Sequence, residues 1–365
     1  MKPPRKRFVI VHNSLKTVWL FRKEYIKRLL SNGHVVVVIS PEDDKHAYDR
    51  LLNMGVIMRC FDFESGFKKI LSIYKMNRLI VSERNNGSTF ICHFLITYIY
   101  TFLSFLAINQ RLYLYVEGMG SFAIKHSLIR RFLTIIIRAS GCNVLYCNKN
   151  DMSDLKVPGD VIGGIGIDLD KFQIKSINQV SKFQINMLYV GRLIGDKGVW
   201  DSIEVLSLLR KSGLNVKLTL VGETYPNNPS SLSDIDLREL KERFSDSICF
   251  AGFQKSTVEW YRLADVMVLP SIREGFPVSA MEASAMGLQT FGYKTAGMNE
   301  AVSESINGNL VELGDVSSLA QKISDYFHKS PEEKRVLKIL CREHAEQNFC
   351  RKKISREFVK RLVKK

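Results

Sequence analysis

The chain has 365 residues, which exceeds the usual size of one domain and predicts two α/β domains. Its composition, 45% hydrophobic and 25% charged, is ordinary for a globular protein and leaves enough apolar material for two cores. The net charge of +16 predicts an anionic partner: nucleic acid, a nucleotide diphosphate or an anionic bilayer. A nucleotide needs only a few cations, so the remaining positive charge binds a larger anionic partner or keeps the surface solvated.

The seven cysteines form no CxxC pair and have no Cys/His ligand spacing. An odd number of scattered thiols is typical of a protein in a reducing cytoplasm, without structural disulfides or a zinc site. The apolar run Phe8–Val11 after the basic N-terminus is too short for a signal peptide and predicts a buried strand.

The first third of the chain alternates strand and helix patterns. Strands are predicted at Phe8–Val11, His34–Ile39 and Val56–Phe61, and helices at Phe21–Leu30 and Tyr48–Met54. This β-α-β-α-β order with short connections predicts a doubly wound parallel sheet.

The segment Phe90–Ile108 is nearly all apolar or weakly polar and approaches the length of a membrane span. As a span it would separate Leu79–Val81 from Leu112–Val116, two segments predicted as strands of one sheet. We therefore predict a buried or membrane-facing helix here, interrupted by His93.

The second half repeats the alternation, so we expect a second Rossmann-like domain. Strands are predicted at Met187–Val190, Val216–Val221, Ile248–Ala251, Val266–Leu269 and Thr290–Phe291. Little periodicity marks Lys171–Lys182, where we place the linker. The predicted division is an N-terminal domain at 1–175, a C-terminal domain at 182–345 and a basic helix at 346–365.

One candidate anion site follows the strand Met187–Val190. Gly191-Arg192 comes first and Lys197-Gly198 follows shortly. A strand that opens into a helix start presents free backbone N–H groups, and Arg and Lys add two cations. The alternative is a solvated surface pair.

Two carboxylates mark a second candidate site. Glu274 precedes Gly275-Phe276-Pro277-Val278, and Glu282 lies about two turns into the helix that follows. One acid could bind a sugar ring while the other accepts ribose hydroxyls. The alternative is a capping residue plus a surface acid, but the small residues around Glu282 favour a position facing a cleft.

These elements together resemble the retaining GT-B glycosyltransferases of family 4. The resemblance rests on Gly191-Arg192-Leu193, Lys197-Gly198, Glu274 to Glu282, and Asn307 to Val311. It implies an α/β fold of the GT-B type, with two doubly wound Rossmann-like domains facing a central cleft.

The resemblance also implies roles for single residues. Arg192 and Lys197 would hold the donor diphosphate, Glu282 the ribose and Glu274 the transferred sugar. The backbone of Gly275, Phe276, Pro277 and Val278 would lie beside that sugar or the phosphates. No divalent metal and no cofactor are expected, because cations and helix dipoles would stabilise the leaving diphosphate.

The first half is similar to a bacterial subgroup that assembles lipid-linked polysaccharide repeats. Where many family members have a His or Asp near the anomeric carbon, this chain offers Glu117, which could act in catalysis or cap the glycine loop after it. Gly118 and Asn13 are candidates for substrate binding, although the loop with Asn13 lacks the family's glycines. His12 and His126 are weaker candidates.

Basic and apolar residues are interleaved at Phe122–Arg138 and Arg351–Lys365. The second of these predicts a basic amphipathic helix, whose apolar side could instead pack on the N-terminal domain. With Phe90–Ile108, these segments predict attachment to an anionic membrane surface.

We predict a metal-independent, retaining transferase on the inner face of the cell membrane. It would move a sugar from a nucleotide-sugar donor, with UDP-hexose or UDP-N-acetylhexosamine favoured, to a polyprenyl-linked glycan acceptor, without binding nucleic acid. The alternatives are a basic nucleic-acid-binding protein, a sugar-nucleotide-binding protein without transferase activity, or an epimerase on the same fold.

Overall fold

The computed structural model describes residues 5–63, 66, 69–84, 87–106, 111–119, 126–174, 184–226 and 228–364. The chain forms two compact units. The N-terminal unit comprises Met1–Ile165 together with Arg351–Lys365, and the C-terminal unit comprises Gly166–Cys350. The division therefore falls about ten residues before position 175, and the last helix is part of the N-terminal unit.

The described part of the N-terminal unit contains a parallel sheet of seven strands in the order β3-β2-β1-β4-β5-β6-β7. The strands are β1 (Arg7–Val11), β2 (Val35–Pro41), β3 (Ile57–Phe61), β4 (Thr89–His93), β5 (Leu112–Val116), β6 (Asn143–Tyr146) and β7 (Asp160–Val161). Helices cover both faces, so central strands such as β5 are buried along their whole length and contain continuous apolar runs.

The helices of this unit alternate with its strands. They are α1 (Leu15–Ser31), α2 (Lys45–Asn53), α3 (Lys69–Arg84), α4 (Leu95–Phe105), α5 (Ser127–Ser140), α6 (Lys149–Leu155) and α14 (Arg351–Lys364), numbered over the whole described chain. The predicted strands at Phe8–Val11, His34–Ile39 and Val56–Phe61 are confirmed as β1, β2 and β3.

Two predictions for this unit are wrong. Leu79–Val81 lies inside α3, where Ser72, Met76 and Ile80 form a buried stripe at four-residue spacing. The continuous helix at Phe90–Ile108 is instead strand β4 followed by helix α4, and residues 107–108 lie outside the described part. Phe94 separates the two elements with a φ of +69°, which neither a strand nor a helix tolerates.

The C-terminal unit contains, in its described part, a parallel sheet of six strands in the order β10-β9-β8-β11-β12-β13. The strands are β8 (Ile185–Val190), β9 (Val216–Val221), β10 (Ile248–Gly252), β11 (Val266–Leu269), β12 (Gln289–Tyr293) and β13 (Gly308–Val311). The helices are α7 (Val199–Lys211), α8 (Asp234–Arg243), α9 (Val258–Leu263), α10 (Val278–Ala285), α11 (Met298–Ala301), α12 (Val316–His328) and α13 (Pro331–Asn348). All five strands predicted in this half are confirmed.

Strand order reverses once in each sheet. The chain runs outward from β1 to β3 and then crosses to β4 on the other side of β1. It likewise runs from β8 to β10 and crosses to β11, which pairs with β8. In open α/β sheets such switch points, at the carboxyl ends of the strands, are where ligands bind.

The start of α7 depends on a glycine with close backbone contacts. Gly198 precedes the helix with a φ of +74°, and a Cβ placed there would lie 2.0 Å from the carbonyl oxygen of Pro270. Gly213, just past the end of α7, has a φ of +88° but no atom within 4 Å of such a Cβ. The two positions therefore share the backbone conformation and differ in the space around it.

We predict that Gly198→Ala destabilises the chain much more than Gly213→Ala. The control should cost about 1–2 kcal/mol for a left-handed alanine, and Gly198→Ala about 2 kcal/mol or more beyond that, because the Pro270 backbone must move. Urea unfolding followed by circular dichroism measures both. Equal losses would show that the contact with Pro270 is not tight.

Candidate functional site

Two loops at the switch point of the C-terminal sheet lie side by side. The first follows β8 and contains Gly191 to Lys197, ending in a short 3-10 turn at Gly195–Lys197. The second follows β11 and runs from Pro270 to Pro277. Because β8 and β11 are neighbours, both loops leave the same edge of the sheet.

Backbone hydrogen bonds hold the two loops together. The N–H of Ile272 donates to the carbonyl oxygen of Asp196 at 3.1 Å, and the hydroxyl of Ser271 donates to the same oxygen at 3.1 Å. Pro270 also packs against Gly198. The distance between the two loops is therefore set by main-chain contacts.

Lys197 and Glu274 form an ion pair across these loops. The Nζ of Lys197 lies 2.6 Å from Oε2 of Glu274, and the two side chains are 21% and 11% exposed. Such a partly exposed pair orients the ammonium and leaves it open to a second anion. The structure therefore brings together two residues that the sequence analysis assigned to different ligand groups.

Tyr189 connects the main chain at Arg192 with the surroundings of Glu274. The buried Tyr189 hydroxyl donates to the carbonyl oxygen of Arg192 at 2.6 Å. Burial raises the pKa of Tyr189, Glu274 raises it further, and Arg192 acts in the opposite direction. The exposed guanidinium of Arg192 lies over the ring of Tyr225, with its Cζ 5.1 Å from the ring centroid.

The residues Gly275 to Val278 lead into α10. Pro277 is the N-cap, and no side chain caps the free N–H groups of the first turn. Gly297, with a φ of +76°, lies so close that a Cβ there would be 2.6 Å from the carbonyl oxygen of Gly275. The ring of Phe276 packs at 6.0 Å against that of Phe349. The open helix start suits an anion.

Glu282 has a separate set of neighbours. It lies in the second turn of α10, and its Oε2 is 3.3 Å from the Thr257 hydroxyl and 3.1 Å from the Tyr261 hydroxyl. Tyr261 is buried, and burial together with the Glu282 carboxylate raises its pKa. The hydroxyl groups of Thr257, the N-cap of α9, and of Tyr261, within α9, therefore orient this carboxylate.

The candidate residues of the N-terminal unit lie at the corresponding edge of its sheet. Asn13 is exposed and follows β1, while Glu117 and Gly118 follow β5 and are partly buried. His12, beside Asn13, is fully buried. Residues 120–125, which include the start of the predicted basic and apolar segment Phe122–Arg138, lie outside the described part.

Glu117 is part of a buried polar network that the sequence analysis missed. Arg22 of α1 donates to both Glu117 carboxylate oxygens, and Nδ1 of His93 is 2.9 Å from Oε1. The hydroxyl of Tyr25 lies 2.9 Å from Nε2 of His93. His12 packs beside it, with 5.2 Å between the two imidazole centroids.

The protonation states in this network follow from burial and from the Arg22 charge. Burial, followed by the charge of Arg22, lowers the pKa of His93 to about 4 despite its contact with Glu117. Burial and the neighbouring His93 and Arg22 also lower the pKa of His12. Burial alone would raise the pKa of Glu117, but Arg22 and His93 outweigh it, so its pKa is lowered. Near pH 7 the network contains an ionised carboxylate, a guanidinium and neutral imidazoles.

The sequence analysis named His12 and Glu117 but missed His93, Arg22 and Tyr25. His93 had one signal in the sequence, because it follows the apolar residues Phe90–Cys92 as His12 follows Phe8–Val11 and Glu117 follows Leu112–Val116. Since β1, β4 and β5 are neighbours, their carboxyl ends meet. The interpretation of Phe90–Ile108 as one helix removed His93 from this set. Arg22 and Tyr25 come from α1, and only packing brings them there.

The geometry and the comparisons with known proteins agree on the class. The two parallel α/β units have the GT-B type of fold, which they share with solved structures of that type. Residues 170–339, which contain Lys197, Glu274 and Glu282, match the model of the family described as Glycosyl transferases group 1, so this part of the chain is similar to glycosyltransferases. This favours the transferase over the nucleic-acid-binding protein, the binding protein and the epimerase.

Three similar proteins illustrate the match. The chain is 26% identical over 333 residues to the N,N'-diacetylbacillosaminyl-diphospho-undecaprenol alpha-1,3-N-acetylgalactosaminyltransferase of Campylobacter jejuni, covering 84% of this chain and 86% of that one. It is 28% identical over 165 residues to the capsular polysaccharide biosynthesis glycosyltransferase CapM of Staphylococcus aureus, covering 43% and 42%. The structure of Anabaena HepE in complex with UDP shares the fold, with a TM-score of 0.79, 15% identity and coverage of 99% and 100%.

The described residues contain no group of three His, Cys, Asp or Glu side chains that could hold a metal ion. Nor does any helix among them combine the length and apolar character needed to cross a bilayer.

We predict that the stability of the chain falls as the pH is lowered from 6.5 to about 4. His93 has a folded-state pKa of about 4 against its usual 6.5, so in this window the unfolded chain binds the proton first. The loss attributable to His93 is on the order of 3 kcal/mol. Urea unfolding at a series of pH values measures it.

The matched variants are His93→Gln and His46→Gln. His93→Gln should unfold more easily at pH 7 but lose less stability on acidification. The remaining loss comes from the other histidines whose pKa burial lowers, His12, His34 and His344. His46 is exposed, so His46→Gln should keep the full dependence. An unchanged pH profile in His93→Gln would contradict the assignment of a neutral buried imidazole.

Proposed function

We propose that this protein transfers a sugar from a nucleotide-sugar donor to a lipid-linked glycan in bacterial surface polysaccharide synthesis. One observation carries the proposal: the Lys197–Glu274 pair lies at the switch point of a sheet whose residues match the group 1 glycosyl transferases. An ammonium beside a carboxylate, next to an uncapped helix start, suits a ligand that has both phosphates and sugar hydroxyls.

Each site residue then has a role in donor binding. Lys197 and Arg192 bind the diphosphate, and Glu274 accepts hydrogen bonds from the transferred sugar. Glu282, oriented by Thr257 and Tyr261, accepts from the ribose hydroxyls. The backbone N–H groups at the start of α10, after Gly275, approach the phosphates or the sugar. When the donor binds, Lys197 and Glu274 lose part of their mutual attraction and gain contacts with the donor.

The donor and the acceptor are proposed from the chemistry of the relatives. The Campylobacter relative is named as an N-acetylgalactosaminyltransferase acting on a diphospho-undecaprenol, and HepE is described in complexes with UDP and UDP-glucose. We therefore favour a UDP-hexose or UDP-N-acetylhexosamine donor and a polyprenyl-diphosphate-linked acceptor. Such an acceptor places the enzyme on the inner face of the cell membrane as a peripheral protein.

Transfer proceeds with retention of the anomeric configuration and without a divalent metal. The leaving diphosphate is stabilised by Lys197, Arg192 and the helix start, which supply fixed positive charge where negative charge develops. In the N-terminal unit, Arg22 and His93 hold Glu117 ionised, so it supplies a negative charge for the positive charge that develops on the sugar, or orients the acceptor.

The direct test is turnover of the purified full chain. With UDP-sugars, a polyprenyl-diphosphate-linked acceptor and EDTA present, we expect transfer only when the acceptor is added, with a product of retained configuration by NMR. Hydrolysis alone, conversion of the donor to its epimer, an inverted product or a strict requirement for added Mg²⁺ or Mn²⁺ would each contradict part of the proposal.

The second test concerns the two cations. We expect Lys197→Ala and Arg192→Ala each to lower kcat/KM by roughly 30- to 1,000-fold, about 2–4 kcal/mol, because each removes a preorganised charge from the leaving group. Lys211→Ala, at the other end of α7, is the matched control and should be fully active. If both site variants turn over normally, the phosphates bind elsewhere.

A further inference from the structure

One side of the N-terminal unit is unusually apolar for a surface. Helices α3, α4 and α5 pack side by side, and the rings of Phe102 and Phe132 join α4 to α5 at 6.4 Å. We call the outer surface of these three helices the α3–α5 face. Large apolar side chains exposed on it are Leu71, Tyr74, Leu103, Leu128, Phe132 and Ile135.

Helix α5 shows that the exposed apolar residues form a surface separate from the buried core. Its inner side, with Leu133, Ile136 and Ile137, is buried. Its outer side has Leu128, Phe132 and Ile135 at i, i+4 and i+7, and Leu128 and Ile135 are 74% and 64% exposed. A helix that is apolar on both sides has a second partner to bury against.

The charges on the same helices are of one sign. Together they contain seven Lys or Arg residues, including the exposed Arg78, Arg131 and Arg138. The three helices contain a single acidic residue, Glu83, which is 3% exposed and paired with Arg7 and Arg59. The outer surface of these helices therefore offers apolar side chains and positive charge with no exposed carboxylate.

The C-terminal helix α14 does not share these properties, although its sequence is as basic. Its apolar residues Phe358, Val359 and Leu362 are buried, and the Phe358 ring lies 4.9 Å from that of Tyr25 on α1. Packing has thus used the apolar side of α14, and only its charged side is exposed.

We propose that the α3–α5 face inserts into an anionic phospholipid bilayer, with Leu128, Phe132 and Ile135 entering the acyl region and Arg131 and Arg138 at the headgroups. Apolar side chains that enter the membrane and cations that remain at its anionic surface are the two components of interfacial binding. The proposal rests on the proposed function, since a lipid-linked acceptor requires the enzyme at the membrane, and it names the surface that docks.

The experiment is flotation of the full chain with vesicles of phosphatidylglycerol and phosphatidylcholine, or of phosphatidylcholine alone. We expect wild type to bind the anionic vesicles more tightly. Leu128→Gln/Ile135→Gln should weaken binding to them at least ten-fold, and Arg131→Glu should weaken it about ten-fold while reducing the preference over neutral vesicles.

The matched controls lie on other surfaces. Ile235→Gln/Leu313→Gln removes two exposed apolar side chains of the C-terminal unit, and Arg356→Glu reverses an exposed charge on α14. Both should bind vesicles within about two-fold of wild type. If Leu128→Gln/Ile135→Gln binds like wild type, or if Arg356→Glu releases the protein as much as Arg131→Glu, the proposal is wrong.

Insertion and self-association are separated by two further measurements. Vesicles with brominated acyl chains should quench the fluorescence of the tryptophan introduced by Phe132→Trp. They should not quench that of the tryptophan introduced by Ile235→Trp. Light scattering without lipid should show the same oligomeric state for wild type and for Leu128→Gln/Ile135→Gln. A dimer that the double substitution dissociates, with vesicle binding unchanged, would assign the face to a second copy and overturn the proposal.

Turnover distinguishes failure of this inference from failure of the proposed function. With a short-chain, water-soluble prenyl-diphosphate-linked acceptor, Leu128→Gln/Ile135→Gln should be as active as wild type, and circular dichroism should show the same melting temperature. Absence of transfer by wild type would count against the proposed function. Normal transfer with unaltered vesicle binding by the variant would count only against the docking surface.

Discussion

Parallel pairing constrains where chemistry can be placed in this molecule. All strands of a parallel sheet end at one edge, and where the chain reverses direction the loops of two neighbouring strands part and leave room for a ligand. In the C-terminal unit these are the loops after β8 and β11, with Lys197 and Glu274. In the N-terminal unit the ends of β1, β4 and β5 bring His12, His93 and Glu117 together.

The two edges use charge in different ways. Arg22 is only 2% exposed, so the desolvation of its charge is offset by the contact with Glu117, and removing either partner would leave a buried charge uncompensated. Glu274 is about as buried as Glu117, but Lys197 is 21% exposed on a loop, where water competes with the pair. The first arrangement holds a geometry, and the second can exchange partners with a charged ligand.

The location of the excess positive charge follows from comparing which apolar side chains are buried and which are exposed. The proposed donor site involves two cations, Arg192 and Lys197, which leaves most of the net charge of +16 elsewhere. Basic residues on α14 accompany an apolar side that is already packed against α1. Those on α3 and α5 accompany apolar side chains that remain exposed, so only there do the two properties coincide on one surface.

Much of the fold was predictable from the sequence because local patterns specify it. Apolar runs such as Val216–Val221 and glycines such as Gly213 mark strand and helix ends, and the order of elements implies parallel sheets. Lys197, Glu274 and Glu282 became candidates because each lies near such an end, and the structure brings Lys197 and Glu274 into contact. The errors came where periodicity is ambiguous: a short apolar run in α3, and a strand joined to a helix at Phe94, where His93 alone interrupts the apolar run and no glycine or proline marks the break.

The sequence by itself therefore determined the class of fold, the position of the loops after β8 and β11 and the family resemblance, because these depend on residues near one another in the chain. Tertiary structure decided which side chains meet. Arg22 and Glu117 are 95 positions apart, and Lys197 and Glu274 are 77 apart by number, so only packing could pair them. Packing also decided that α14 buries its apolar side while α5 exposes one, because exposure depends on what lies opposite a helix and not on its own pattern.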